Sequence, residues 1–81
     1  MYLNPEKMSS ADRQRIDRWL VANGCRYYVS VDDPVIVAGR RVYFTALCRR
    51  DKRSIQRMRI IMDKPPEERR SVRIRVPLQS V

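Results

Sequence analysis

The sequence predicts an α+β domain, with one N-terminal helix packed on a four- to five-stranded antiparallel sheet. Three observations lead there. Residues 10–23 carry a capped apolar stripe at helical spacing. Several later segments alternate apolar and polar residues with the period of two that a half-buried strand needs. The chain has 81 residues and 43% apolar content, enough for one domain with one small core and too apolar for a disordered chain.

Residues 1–8 are polar and interrupted by Pro5, and read as a flexible lead-in, so the domain proper runs over 9–81. Ser9 or Ser10 offers a helix N-cap, and Asp12 stands three residues after Ser9 as an acidic variant of the capping box. Ile16, Trp19 and Leu20 follow at i, i+3 and i+4, and Asn23-Gly24 supplies a left-handed stop. Trp19 is expected in the core. Arg13 with Asp17 and Asp12 with Arg15 are spaced to pair along the helix, which makes it a poor nucleic-acid reader.

Cys25–Val31 alternates as a half-buried strand, Asp32-Asp33-Pro34 turns the chain, and Val35–Val37 forms a second strand. Ala38-Gly39-Arg40 is a hairpin tip. Arg41–Arg49 is a third strand with Val42, Phe44, Ala46 and Cys48 on one face and Tyr43, Thr45 and Leu47 on the other. Neither face is polar throughout, so this strand is central or offers its second face to a partner. The expected lining is Ile16, Trp19, Leu20, Val29, Val31, Val35, Val37, Val42, Phe44, Met58, Ile60, Val72, Ile74 and Val76.

The segment Ile55–Met62 fits two descriptions. As a helix it aligns Ile55, Met58, Ile61 and Met62; as a strand it turns Met58, Ile60 and Met62 inward and Arg57 and Arg59 outward. The polar, proline-containing stretch after it favours a strand. Ser71–Pro77 then alternates Val72, Ile74 and Val76 with Arg73 and Arg75. Paired antiparallel, the two segments would form a ribbon with Arg57, Arg59, Arg73 and Arg75 on one face. The helical alternative gives an element order beginning like that of a double-stranded-RNA-binding domain, an analogy of topology alone.

The charge is distributed unevenly. Residues 1–39 hold five basic and five acidic side chains, whereas residues 40–81 hold thirteen basic and four acidic ones, so the net +9 lies wholly in the second half. Such a surface attracts polyanions, nucleic acid first, or an acidic protein patch. Candidate polyanion-binding residues are Arg57, Arg59, Arg73 and Arg75 on the ribbon, with Arg40, Arg41, Arg49, Arg50 and Arg53 around it. Solvent-facing arginines also protect strand edges from aggregation without any ligand. Codon bias accounts for a ratio of 15 Arg to 3 Lys more readily than phosphate recognition does, but not for where the charge is placed. Tyr27, Tyr28, Tyr43 and Phe44 fall away from the predicted ribbon, so no aromatic stacking surface of the RNA-recognition kind is expected beside the arginines.

Catalysis has little to work with. Histidine is absent, which removes the commonest general acid–base group and metal ligand. Two cysteines without histidine do not make a four-ligand zinc site, and two glycines do not make a phosphate loop. Cys25 and Cys48 read as small core residues, with a disulfide between them left open. No cofactor is called for, no enzyme activity is expected, and no apolar run is long enough to cross a membrane.

Trp-Leu-Val-Ala-Asn-Gly-Cys (Trp19–Cys25), Asp-Asp-Pro (Asp32–Pro34), the strand Arg41–Cys48 and the closing Val-Arg-Ile-Arg-Val-Pro-Leu (Val72–Leu78) together resemble the small uncharacterised Arg-rich proteins of actinobacterial bacteriophages. The likeness covers about three-quarters of the chain and carries no functional residue. It implies a phage-type accessory protein in the cytoplasm of a bacterial host. The expected function is non-enzymatic nucleic-acid binding through an arginine-rich sheet face and loops. The alternative is a protein-binding modulator that docks on an acidic host or viral protein, and self-association is a third option.

Overall fold

The computed structural model describes residues 1–54, 56 and 67–78. In chain order it contains β1 (Tyr2–Leu3), a 3-10 turn (Pro5–Lys7), α1 (Ser10–Ala22), β2 (Tyr27–Val29), β3 (Val35–Ala38), β4 (Arg41–Arg49) and β5 (Glu68–Arg73). This is the α+β class the sequence predicts, one main helix with a five-stranded antiparallel sheet. Residues 1–8 are not a loose lead-in. Tyr2 and Leu3 pair with Ile36 and Val35, the Val37 amide donates to the Met1 carbonyl at 2.8 Å, and Pro5 is buried.

Both ends of α1 follow from its sequence. The Ser9 hydroxyl accepts from the Asp12 amide at 3.2 Å. At the other end Gly24 takes φ +92, the Cys25 amide reaches back to the Leu20 carbonyl at 2.9 Å, and the Gly24 amide to that of Val21 at 3.0 Å. These two bonds make a Schellman motif, which only a residue tolerant of positive φ completes cheaply. Ile16, Trp19 and Leu20 are the buried face, as their spacing requires.

β4 organises the sheet. On one side it pairs with β5, from Arg41↔Arg73 to Ala46↔Glu68. β3 registers on β4 at Arg41–Tyr43 and β2 at Ala46 and Arg49. Because β5 already occupies the partner side over Arg41–Ala46, β2 and β3 lie end to end along the other edge. From Ile36 to Val29 is seven residues, while their partners Tyr43 and Ala46 are three apart, so four residues are extruded between β2 and β3. That extrusion is the Asp32-Asp33-Pro34 turn with Val31, which explains why Val31 is 46% exposed rather than in the core. The β3–β4 connection is a two-residue turn in which Gly39 takes φ +61 and Arg40 keeps a negative φ, the type II′ pattern.

The register fixes which side chains share a face, since directly paired residues of an antiparallel ladder project together. Leu3, Val35, Val37, Val42, Phe44, Ala46 and Val72 face α1 and form the core with Ile16, Trp19, Leu20 and Cys25. Cys25 is buried and Cys48 half-buried, and both are free thiols.

The last strand departs from expectation. β5 spans Glu68–Arg73 rather than Ser71–Pro77, and among the described residues its partner is β4. The polar Glu68-Arg69-Arg70 run is strand because β4 offers a free edge as far as Ala46. The preceding connection opens with Asp51, whose carboxylate accepts from the Ser54 amide at 2.7 Å and the Ser54 hydroxyl at 3.2 Å, and residues 52–54 and Gln56 are helical. These hydrogen bonds hold the Asp51 carboxyl below the ordinary carboxylate range. Of the favoured strand Ile55–Met62, only Gln56 is described, and it is helical; Ile55 and the remainder, with Met58 and Ile60, lie outside the described residues.

Beyond β5 the chain turns back over the end of α1. The Trp19 indole N–H donates to the Val76 carbonyl at 2.6 Å. The Asn23 carboxamide accepts from the Arg75 and Val76 amides at 2.5 and 2.8 Å and donates to the Trp19 and Val76 carbonyls at 2.9 and 3.1 Å. Asn23 therefore ends the helix and also holds the C-terminal segment against it.

Candidate nucleic-acid interface

The face of the sheet away from α1 is set by the same register. Ala38, Arg41 and Arg73 form one row across β3, β4 and β5; Tyr2, Ile36, Tyr43 and Ser71 form the next across β1, β3, β4 and β5; Thr45 and Arg69 form a third. Strands are spaced about 4.8 Å apart and alternate residues along a strand about 6.7 Å apart. Arg41 and Arg73 thus stand directly opposite each other beside Tyr43.

The third row is closed over by the extruded loop. The Thr45 hydroxyl donates to Asp33 Oδ2 at 2.9 Å and accepts from Arg69 Nη1 at 3.0 Å, while Arg69 also reaches the Pro34 carbonyl at 3.3 Å. Thr45 is buried by these contacts. The first two rows remain accessible, with Tyr43 at 39% and Tyr2 at 74% exposure.

Arg41 and Arg73 carry like charges at a directly paired position, an arrangement that costs a few tenths to about 1 kcal/mol. Arg41 folds diagonally onto β5, where its Nε and Nη2 donate to Ser71 Oγ at 3.1 and 3.0 Å. That contact seats the guanidinium beside Tyr43, whose cross-strand partner is Ser71. Among the described residues neither Arg41 nor Arg73 has an ion pair. The Ile74 amide donates to the Arg40 carbonyl at 2.7 Å, which ties the hairpin turn to the segment after β5. Exposed Arg40 and Arg75 therefore lie at the same end of the sheet as Arg41 and Arg73.

The other candidate arginines separate. Arg57 and Arg59 lie outside the described residues, so the four-arginine ribbon is not assembled among them. Arg49 ends β4 and Arg53 sits in the helical stretch at 52–54, both exposed and away from the Arg41–Arg73 row. Arg50 serves the fold: it pairs with Asp17, donates to the Tyr27 carbonyl at 2.9 Å and lies 4.8 Å over the Tyr28 ring. Asp17 thus turns to Arg50 instead of Arg13, whose side chain bonds Ser10. Arg70 is on the helix side, paired with Glu68 at 2.8 Å and 4.4 Å from the Tyr27 ring centroid.

Tyr2 was not anticipated from sequence, and Tyr43, expected on the second face of its strand, was not expected beside the arginines. The expectation that aromatics lie away from the arginines rested on pairing Ser71–Pro77 with Ile55–Met62. Pairing β5 with β4 brings Arg73 next to the strand that carries Tyr43. The available signal was the two-sided apolar pattern of β4, which marks a strand whose second face is covered or meets a partner.

Among the described residues no three His, Cys, Asp or Glu side chains come together as a metal site, and no helix is long and apolar enough to cross a membrane. No family model matches the chain, and no curated protein or solved structure matches it.

Proposed function

We propose that this protein binds nucleic acid without catalysing a reaction, through the open face of its sheet at the Arg41–Arg73 end. The observation that carries this reading is the directly paired Arg41 and Arg73, flanked by Arg40 and Arg75 and lacking a carboxylate partner among the described residues. Like charges held together by the ladder are relieved by an anion that bridges them, and the arginine fork suits phosphate oxygens. The net charge of +9 supplies long-range attraction.

The test is binding of a short DNA duplex and of single strands, measured at several salt concentrations by fluorescence anisotropy. Affinity should fall steeply with salt. The double variant Arg41→Ser/Arg73→Ser should lower the log–log salt slope by about 0.9 per lost phosphate contact on B-DNA, or about 0.7 on a single strand. Absence of binding at about 100 µM, the weak end of ordinary non-specific affinity, would rule out this function.

A second reading, a modulator that docks on a protein, draws on a different place. An open groove between α1 and the extruded loop is lined by Leu3, Met8, Ile16, Val29 and Val31, with Arg13 and Arg18 also lining it. Tyr28 and Val31 stand exposed there. On this reading a protein partner captured from nuclease-treated bacterial lysate is lost with Val31→Asp and kept with Arg41→Ser/Arg73→Ser. Capture that ignores Val31→Asp would remove the groove from consideration.

A further inference from the structure

The Arg41–Arg73 row explains attraction to phosphate but not the row beside it. Tyr2, Ile36 and Tyr43 lie in register across three strands on the same face. Tyr2 and Tyr43 are separated by two strand spacings, about 9.5 Å. Burying these side chains in the core would need only a one-residue shift of register, which flips every side chain to the opposite face. The buried Val35, Val42 and Phe44 show which face the core occupies, so the tyrosines belong to the other. An exposed aromatic row beside a cationic row is costly as plain surface and matches a polymer that alternates flat apolar rings with phosphates.

We infer that the ligand of this face is single-stranded nucleic acid, with one base stacked on Tyr43, a neighbouring base on Tyr2 across Ile36, and backbone phosphates at Arg41 and Arg73. This inference rests on the nucleic-acid reading and narrows it. A duplex keeps its base faces stacked on each other and offers a sheet only phosphates and groove edges, so the tyrosine rings would contribute nothing to holding it. A single strand exposes base faces that any aromatic ring can receive, whatever the base. The geometry suits that role. Arg41 is pinned to Ser71 by two hydrogen bonds, which holds a positive charge beside Tyr43 before any ligand arrives and reduces the ordering cost of binding. The Asp33–Thr45–Arg69 contacts wall off the third row, so the strand is confined to the two open rows. Stacking and phosphate contacts are common to both polymers, so RNA and DNA strands of equal length are both expected to bind.

The experiment compares fluorescein-labelled decamers of U and of dT with a ten-base-pair duplex at one fixed salt concentration. Wild type, Tyr43→Leu, Tyr43→Phe, Tyr2→Ala and Arg41→Ser/Arg73→Ser are each checked for fold by circular dichroism. Single strands should bind more tightly than the duplex. Tyr43→Leu should lose about 5- to 160-fold in single-strand affinity, the usual cost of one stacked base, with little change on duplex. Tyr43→Phe keeps the ring and should keep the affinity. Tyr2→Ala, at an exposed edge position, gives the same readout in a variant whose core is untouched. Equal or tighter binding of the duplex, or single-strand affinity indifferent to both Tyr43→Leu and Tyr2→Ala, overturns the stacking inference. If the arginine double variant still weakens binding in that case, the broader nucleic-acid function stands. Binding to none of the three probes removes both.

Discussion

Replacing Asn23 by alanine tests whether the C-terminal segment is held by one side chain. The carboxamide makes four hydrogen bonds, but they are not equally exposed to its loss. The Trp19 carbonyl still receives the Asn23 amide at 3.1 Å, and the Val76 carbonyl still receives the Trp19 indole. Among the described residues the Arg75 and Val76 amides have no other acceptor, so they are left unpaired. An unsatisfied buried donor costs about 1–3 kcal/mol, and these two are part-buried, so the sum is about 2–4 kcal/mol. Against a total of roughly 4–12 kcal/mol for a chain of this length, that is a large fraction. The expected fall in melting temperature is about 10–25 °C. Urea denaturation followed by Trp19 fluorescence measures it directly, since Trp19 loses its apolar surroundings and its carbonyl partner when the segment detaches. A free-energy change below about 0.5 kcal/mol would refute the reasoning, because it would mean that water or neighbouring groups satisfy both amides without Asn23.

Two further outcomes follow from the fold. Gly24→Ala places a side chain at φ +92 with nothing within 4 Å of the new Cβ, so the cost is backbone strain alone, about 1–2 kcal/mol by thermal melting. Burial pushes the Cys25 thiol above its ordinary range and keeps it protonated at neutral pH, so a thiol reagent should modify half-buried Cys48 first and Cys25 only as fast as the protein opens. Labelling of Cys25 should stay limited by opening as the pH is raised, and a rate that climbed in step with pH would contradict the burial argument.

What could be read from sequence divides along local and non-local information. The helix and its stop were legible because Ser9, Asp12 and Gly24 act on amides and carbonyls within five residues of themselves. The β3–β4 hairpin was legible for the same reason, through Gly39. The site was legible only as composition: arginine in the second half announced a cationic surface but not its shape. Its shape depends on which edge β5 finds, and the alternation of Val72, Ile74 and Val76 suits any apolar neighbour. The similarity between Arg-Met-Arg-Ile and Val-Arg-Ile-Arg-Val pointed to the nearer segment and gave no sign that β5 also joins β4. Asn23 was read as a helix stop alone because its second role needs Val76, 53 residues away. Tyr2 was passed over because a two-residue strand has no periodicity to detect.

The pairing of β5 with β4 also has a temporal meaning. The β3–β4 hairpin closes through a two-residue turn, whereas Arg41 meets Ser71 across 30 residues of chain. Contacts so distant in sequence demand loop-closure entropy that local contacts do not, and they set the slow end of folding. Tyr43 is in place as soon as the hairpin forms, but its cationic neighbours come from both ends of that long loop. A nascent chain that has not yet emerged as far as Glu68 displays the aromatic strand without Arg73, Ser71 or the seat that Ser71 gives Arg41. The open face with its paired arginines is therefore a property of the finished molecule, assembled by the same event that closes the sheet.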